Sequence, residues 1–345
     1  MSQPVKQYKL ILVGLGTVSQ GLLNLLQEKA ELLRLTHSVE FKIIAACTGH
    51  RGNLHDSDGF DIQELLELAT SSAPFSKHAT DLKTEALIRT CGADILVELS
   101  PTNLSDGQPA ISYCRAAFES NMHVVSANKG PATLAYRELS LLAKEHNLSF
   151  LNEATVLSGT PVFSFARSSL AGITIHKIAG ILNGSTNFIL GEMEQGASYA
   201  AALETAKNAG YLEADPRGDV DGHDAQAKVA ILANALLGLN IKLDDVGREG
   251  IAQITLEDIK TATAADERWK LVATLSQESD QVVAEVKLQR LPLTHPLAQI
   301  SGTTNALTFS TDLLGEITVS GPGAGGRETG YAILSDLLTI NKGNQ

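Results

Sequence analysis

Lys9-Leu-Ile-Leu-Val13-Gly14-Leu-Gly16-Thr-Val-Ser19, followed by Leu22, Leu23, Leu26, Ala30 and Leu33, is the stretch on which the fold turns. Lys9 to Val13 is a short β-forming apolar run. The leucines after it recur at helical intervals and predict a helix over 18–35. A strand that passes through Gly14-x-Gly16-x-x-Ser19 into a helix gives this glycine pattern its meaning. The glycines let the chain turn tightly and bring backbone N–H groups onto a pyrophosphate. The helix start, at Thr17 and Val18, adds a partial positive charge. Ser19 stands where the pattern prefers Gly or Ala and is still small enough for close packing.

Further strands are predicted at 41–47, 94–99, 123–126 and 150–156, with helices at 111–120 and 132–145 between them. Strands alternating with helices imply a parallel sheet covered on both faces. Residues 1–150 therefore read as a Rossmann-type, doubly wound α/β unit. The second half is patterned differently. Strands are expected at 173–181, 282–288 and 316–319, and helices at 186–194, 198–209, 224–237 and 331–338. Residues 151–320 form a second α/β domain for substrate binding, and the segment from about 321 to 345 returns to the first.

Composition narrows the partners. Twenty-seven basic against 39 acidic residues give a net charge of −12. Nucleic acids and anionic membranes need clustered Lys and Arg, so neither is expected. No apolar run approaches the ~20 residues needed to cross a bilayer, and the amino terminus lacks the apolar core of a signal peptide. The three cysteines (Cys47, Cys91 and Cys114) are too scattered for a disulfide framework or a zinc site. A cytoplasmic protein with reduced thiols is the expectation, and a small anionic ligand is not excluded.

The strand at 41–47 runs out through Thr48-Gly49-His50-Arg51 with no carboxylate before Asp56. A carboxylate there would bind the ribose 2′-hydroxyl of NAD. Arg51 offers instead a planar fork for a 2′-phosphate, which favours NADP(H) over NAD(H). Ser126-Ala-Asn-Lys129 ends another strand, where ligands bind in open α/β sheets. Gly321-Pro-Gly-Ala-Gly-Gly326 precedes the last helix and reads either as a second cofactor contact, through Gly323 and Gly325, or as a flexible return.

The densest chemistry lies between Ala206 and Lys228. Glu213, Asp215, Asp219, Asp221 and Asp224 crowd a stretch ending in Lys228. A calcium loop fails on register: with Gly222 at its sixth position, its first and twelfth ligands would be Arg217 and Lys228. Asp224 and Lys228 are four residues apart, so they share one face at the start of an apolar helix. An ammonium placed there among carboxylates can shuttle a proton.

This stretch resembles the signature of the homoserine dehydrogenases. It reads Ala206-x-x-x-Gly210-Tyr211, then Glu213-Ala-Asp215-Pro216-x-x-Asp219-x-x-Gly222-x-Asp224-x-x-x-Lys228. Ser100-Pro-Thr102, Ser126-Ala-Asn-Lys129, Asn183-Gly-Ser-Thr-Asn187 and the 321–326 segment also resemble family segments in family order. Leu212 stands where the family favours a small residue, and 157–160 is poorer in glycine than the family version. The resemblance implies NAD(P)-dependent interconversion of L-homoserine and L-aspartate 4-semialdehyde, on the route to threonine and methionine. It implies Lys228 as proton donor and acceptor and Lys129 as a second active-site lysine. Glu213, Asp224, Asp219, Tyr211 and Ser185 are the implied substrate set. Gly14, Gly16, Thr17, Val18, Arg51, Ser100, Lys129, Gly323 and Gly325 are the expected cofactor set. Glu153, with the carbonyls of Val156, Ser158 and Thr160, is the implied site for a monovalent cation such as Na+. The resemblance is to the short form without aspartokinase or terminal regulatory domain, and it implies a homodimer or higher homo-oligomer through the second domain's sheet. Two rival readings are a diaminopimelate-type amino-acid oxidoreductase and a non-catalytic nucleotide sensor.

Overall fold

The structure is a computed structural model that describes residues 4–278 and 281–343. The chain divides into two compact units, Met1–Gly159 with Gly325–Gln345, and Thr160–Ala324. The first begins β1 (Lys6–Val13), α1 (Thr17–Glu28), α2 (Ala30–His37), β2 (Val39–Cys47), β3 (Asn53–His55), α3 (Ile62–Thr70) and β4 (Ala79–Thr80). It continues α4 (Thr84–Thr90), β5 (Ile95–Glu98), α5 (Ala110–Glu119), β6 (His123–Ser126), α6 (Lys129–Leu134), α7 (Tyr136–Glu145) and β7 (Phe150–Leu151). Its sheet runs β4-β3-β2-β1-β5-β6-β7, parallel from β2 to β7, with β3 and β4 antiparallel at one edge.

Alternate residues of β1 serve opposite faces, as the pleat requires. Leu10 and Leu12 pack with Leu22, Leu23 and Leu26 of α1 on one side. Ile11 and Val13 pack with Ile88, Phe118 and Leu139 on the other. Strand order reverses between β1 and β5, and Val13, Cys47 and Glu98 lie level at the carboxyl edge. That is the switch point at which doubly wound sheets bind ligands.

Three predicted elements break or stop short in the structure. The helix expected over 18–35 breaks at Lys29: only Leu33 of α2 is buried, so the apolar stripe of α1 is not carried on. The one expected over 132–145 breaks at Ala135, giving α6 and α7. The strand expected over 150–156 stops at Leu151 and gives way to a 3-10 turn, Glu153–Thr155. There the Thr155 hydroxyl donates to the Asn152 carbonyl at 2.7 Å, a local bond that competes with a sheet ladder.

The second unit contains α8 (Phe163–Ser169), β8 (Ile175–Ile181), α9 (Gly184–Glu194), α10 (Tyr199–Asn208), α11 (Arg217–Val220) and α12 (His223–Leu236). After these come β9 (Gly247–Arg248), α13 (Leu256–Ala264), β10 (Glu267–Glu278), β11 (Gln281–Pro292), β12 (Thr304–Thr311) and β13 (Gly315–Pro322). The sheet order is β13-β12-β8-β10-β11-β9, antiparallel except for β9 against β11. The last helix, α14 (Gly326–Lys342), belongs to the first unit and packs on α1. Their backbones nearly touch: a Cβ on Gly21 would lie 2.0 Å from the Gly326 carbonyl oxygen.

Candidate active site

In the first unit the glycine turn is built as its motif requires. Gly14 has φ +102°, and a Cβ there would lie 2.4 Å from the Leu99 carbonyl oxygen, so only glycine fits. The Ser19 hydroxyl donates to the Gly14 carbonyl at 2.5 Å and closes the turn. α1 starts at Thr17 and Val18 with no capping side chain and no acidic residue in its first turn. Its leading N–H groups are therefore directed at a ligand or water rather than at a side chain. α14 also starts without a capping side chain after Gly325, whose φ is +126°, and a Cβ on Gly326 would meet the Thr17 methyl at 2.7 Å. The amino ends of α1 and α14 thus lie side by side.

Arg51 is engaged by protein. Its Nη1 donates to the carbonyls of Leu68 and Ser71, each at 2.5 Å, and its guanidinium stacks 4.9 Å from the centre of the Phe75 ring. It ties the end of α3 to the loop after β2, and among the described residues its Nε and Nη2 make no hydrogen bond.

Lys129 opens α6 and is half-buried. The residue before it, Asn128, is the N-cap: its Oδ1 accepts from the Gly130 N–H at 2.9 Å. Asn128 Nδ2 reaches the Ser100 carbonyl at 3.1 Å and Glu98 Oε1 at 3.3 Å. The Ser100 N–H also donates to Glu98 Oε1, at 2.9 Å. Glu98 is fully buried, and burial pushes its carboxyl up to about 7 against the pull of those donors. Sequence reasoning missed Glu98 and named Asn128 only within Ser126-Ala-Asn-Lys129, without a role of its own. The signal for Glu98 was present: one carboxylate at the end of the otherwise apolar Ile95-Leu-Val-Glu98.

In the second unit Asp224 is joined to Lys228 directly and Asp219 through Asn183. This lysine is 7% exposed on α12, among Ala225, Ala227, Ile231 and Leu232. Its ammonium donates to Asp224 Oδ2 at 2.7 Å and to the Leu182 carbonyl at 2.6 Å. Asn183, the next residue, caps α9 with its Oδ1 while its Nδ2 donates to Asp219 at 2.6 Å and Asp224 at 3.0 Å. The junction between β8 and α9 is thus fastened to both carboxylates and to the lysine. The Ser185 hydroxyl donates to the Tyr211 carbonyl at 2.6 Å, and the Tyr211 ring meets Phe188 edge-on at 5.0 Å. Glu213 stands apart: it is exposed and makes no hydrogen bond or ion pair among the described residues. Asp215, in the same motif, is occupied by Arg217 at 2.5 Å. Asn183 and the Leu182 carbonyl were not singled out from sequence, since nothing local marks a carbonyl as a lysine's partner.

Gly323 lies against Asn305, whose carboxamide is fully buried with neither polar atom paired. A Cβ on Gly323 would sit 2.1 Å from the Asn305 Cγ, so a side chain there is excluded.

The residues expected to hold a cation are found as follows. Glu153 is buried, and its N–H donates to Asp336 Oδ2 at 2.9 Å. Val156 and Ser158 follow it, also buried; the Thr160 hydroxyl donates to the Pro322 carbonyl at 3.1 Å. Leu157 and Ser158 have φ of +56° and +49°, so this loop keeps a glycine-type backbone without glycine. Among the described residues no group of three or more His, Cys, Asp or Glu could hold a metal ion. Among them, too, no helix is long and apolar enough to cross a membrane.

The family model described as homoserine dehydrogenase matches residues 161–338. An NAD(+)-dependent homoserine dehydrogenase of Pseudomonas canavaninivorans is 42% identical over 340 residues, 97% of each chain.

The chain belongs to the homoserine dehydrogenase family.

Members of this family are NAD(P)-dependent oxidoreductases, and the chain is one. A crystal structure described as a putative homoserine dehydrogenase from Archaeoglobus fulgidus superposes with a TM-score of 0.87 at 35% identity, covering 97% of this chain and 99% of that one. A hyperthermophilic archaeal homoserine dehydrogenase in complex with NADPH gives 0.84 at 30%, covering 99% of each. The doubly wound sheet and the second sheet-bearing unit are therefore this family's architecture.

Proposed function

We propose that the enzyme interconverts L-homoserine and L-aspartate 4-semialdehyde, with Lys228 exchanging the proton at the substrate oxygen. The observation that carries this reading is the buried Lys228 ammonium held between Asp224 and the Leu182 carbonyl. An ammonium fixed in that way can stabilise a developing alkoxide and then protonate it, and can accept the proton in reverse. Asp219, Asp224 and the exposed Glu213 supply negative charge for the substrate's own ammonium, and Ser185 and Tyr211 border the same stretch. Lys129 supplies the second cation.

The first unit fits a dinucleotide: the Gly14 cradle leaves no room for a Cβ, and α1 offers uncapped N–H groups. Gly14, Gly16, Thr17, Val18, Ser100 and Lys129 are assigned to hold it, with Gly323 and Gly325. When bound, the nicotinamide ring supplies or accepts the hydride. We assign a preference for NADP(H) over NAD(H) to Arg51, supported by the missing carboxylate after β2. Its bonds to Leu68 and Ser71 leave Nε and Nη2 for a 2′-phosphate, so Arg51→Ala should narrow the preference. We assign a Na+-type cation to Glu153 with the carbonyls of Val156, Ser158 and Thr160, supported by the turned backbone at Leu157 and Ser158. A homodimer through the second unit's sheet is proposed from Val282 and Val283, both more than 40% exposed. The three buried thiols suit a reducing cytoplasm.

The test follows the reduced-nicotinamide absorbance with homoserine and each cofactor in turn. Homoserine-dependent reduction that is lost in Lys228→Ala, with cofactor binding retained, is the expected result. Near-normal turnover in that variant would remove Lys228 from the chemistry.

A further inference from the structure

We propose that Glu98 is a positioning residue: its carboxylate holds Asn128, and through that N-cap it seats the amino end of α6, where Lys129 stands. The inference rests on Lys129 belonging to the active site only for its effect on turnover, not for the seating itself.

Four observations carry it. Glu98 is 0% exposed at the carboxyl end of β5, beside the switch point. One of its oxygens, Oε1, accepts from the Ser100 N–H, the Ser100 hydroxyl and Asn128 Nδ2. The other, Oε2, is buried with no partner. Asn128 meanwhile spends its Oδ1 on the Gly130 N–H, inside the first turn of α6.

A fully buried side chain with an unpaired oxygen is a costly choice for a strand end that an apolar residue could fill. Its use is that Oε1 gathers Ser100 and Asn128 on one charge, joining the loop after β5 to the loop after β6 alongside the Ser100 and Pro101 oxygens that also accept from Asn128 Nδ2. The bond needs the charged form. Charge-assisted hydrogen bonds are roughly twice as strong as neutral ones, a proton on Oε1 would face three donors, and a proton on Oε2 would have no acceptor. The titratable groups facing Glu98 are Cys47 at the end of β2 and Cys114 and Tyr113 on α5, all raised and all neutral near pH 7. Among the described residues Glu98 makes no ion pair, and its carboxyl, raised by burial to about 7, changes charge near neutrality.

Amide hydrogen exchange across residues 128–136 tests the seating, comparing wild type with E98Q at pH 6 and at pH 8. At pH 8 the first turn of α6 should exchange about tenfold faster in E98Q, the size of one lost charge-assisted bond. At pH 6, with wild-type Glu98 protonated, the two proteins should converge. Equal rates at pH 8, or the same difference at both pH values, would overturn the proposal. Infrared spectra of the protein alone should show a buried carboxylic-acid band that fades from pH 6 to 8 and is absent from E98Q. In N128A that fading should move to higher pH, because a donor to the carboxylate is gone; an unmoved titration rejects the bridge even where E98Q fails to fold. If the exchange result holds while the E98Q:wild-type turnover ratio does not change with pH, the seating stands and Lys129 leaves the reaction.

Discussion

Among the described residues of the second unit two lysines are buried, and they are held in opposite ways. Lys228 on α12 is paired with a carboxylate, Asp224, and one carbonyl. Lys270 on β10 is 2% exposed and donates only to neutral acceptors, Asn187 Oδ1 at 2.9 Å and the Ile300 carbonyl at 2.8 Å. Burial outweighs those bonds and brings the Lys270 amine down to about 8, with the Glu194 carboxylate pulling upward and Arg268 downward. Asn187 in turn clamps the carbonyls of Ile300 and Gly302. Lys270 is a clip between α9, β10 and the loop before β12; Lys228, the proposed proton carrier, is kept beside its counter-charge. Burial of an amine is thus common to both, and the nature of the acceptor, carboxylate against amide and carbonyl, is what distinguishes the proposed proton carrier from the clip.

The comparison breaks most visibly at Lys228. Lys228→Ala should lower turnover about a thousandfold, the usual reach of a general acid–base group, with reduced-cofactor binding by fluorescence nearly unchanged. Lys270→Met should retain activity within about tenfold; a larger loss at fixed stability would place Lys270 in the chemistry.

Stability against pH sharpens it next. Below about 8 both folded and unfolded Lys270 carry the proton, so the penalty for burying the charge is fully present. Between about 8 and the ordinary lysine value of 10.5 the unfolded chain binds a proton that the folded one has lost, so stability rises with pH. The rise attributable to this residue is about 3 kcal/mol, read as the difference between wild-type and Lys270→Met urea unfolding across that window. A wild-type curve parallel to the variant's would show that the amine is not desolvated.

Asp224→Asn leaves Lys228 with neutral acceptors only, the Lys270 condition. Turnover should fall about 10- to 100-fold, with a shifted pH profile; an unchanged profile would mean the ion pair is incidental. The converse exchange, Asn187→Asp, gives Lys270 a carboxylate. It should flatten the stability slope above pH 8 by about 1 kcal/mol, and an unaltered slope would contradict the view that acceptor type sets the amine's state.

Much of this was legible before any coordinates. The Gly14–Ser19 turn, β6 at His123–Ser126 and the Asp224–Lys228 spacing were readable because each is local: a glycine turn between strand and helix, a short apolar run, two residues one helical turn apart. The Arg51 fork was readable only as a residue type, since its bonds to Leu68 and Ser71 are made 17 and 20 residues away. β10 and β12 were missed. β10 interrupts its apolar pattern with buried Lys270, and only the distant Asn187 and Ile300 make that residue tolerable. Glu98, the role of Asn128 and the Leu182 carbonyl escaped for the same reason: their meaning lies in partners that the chain brings together across a sheet or a loop.

The return of α14 to α1 has a consequence for biosynthesis. The unit whose strands leave the ribosome first is the one finished last, because Ile333 and Leu337 complete the layer that Leu22, Leu23 and Leu26 begin. Residues 160–324 are contiguous and can close without waiting. A nascent chain paused before Gly326 would hold that layer incomplete, with α1 in place and the apolar surface that α14 covers still open, a natural client for a holding chaperone until the final helix emerges.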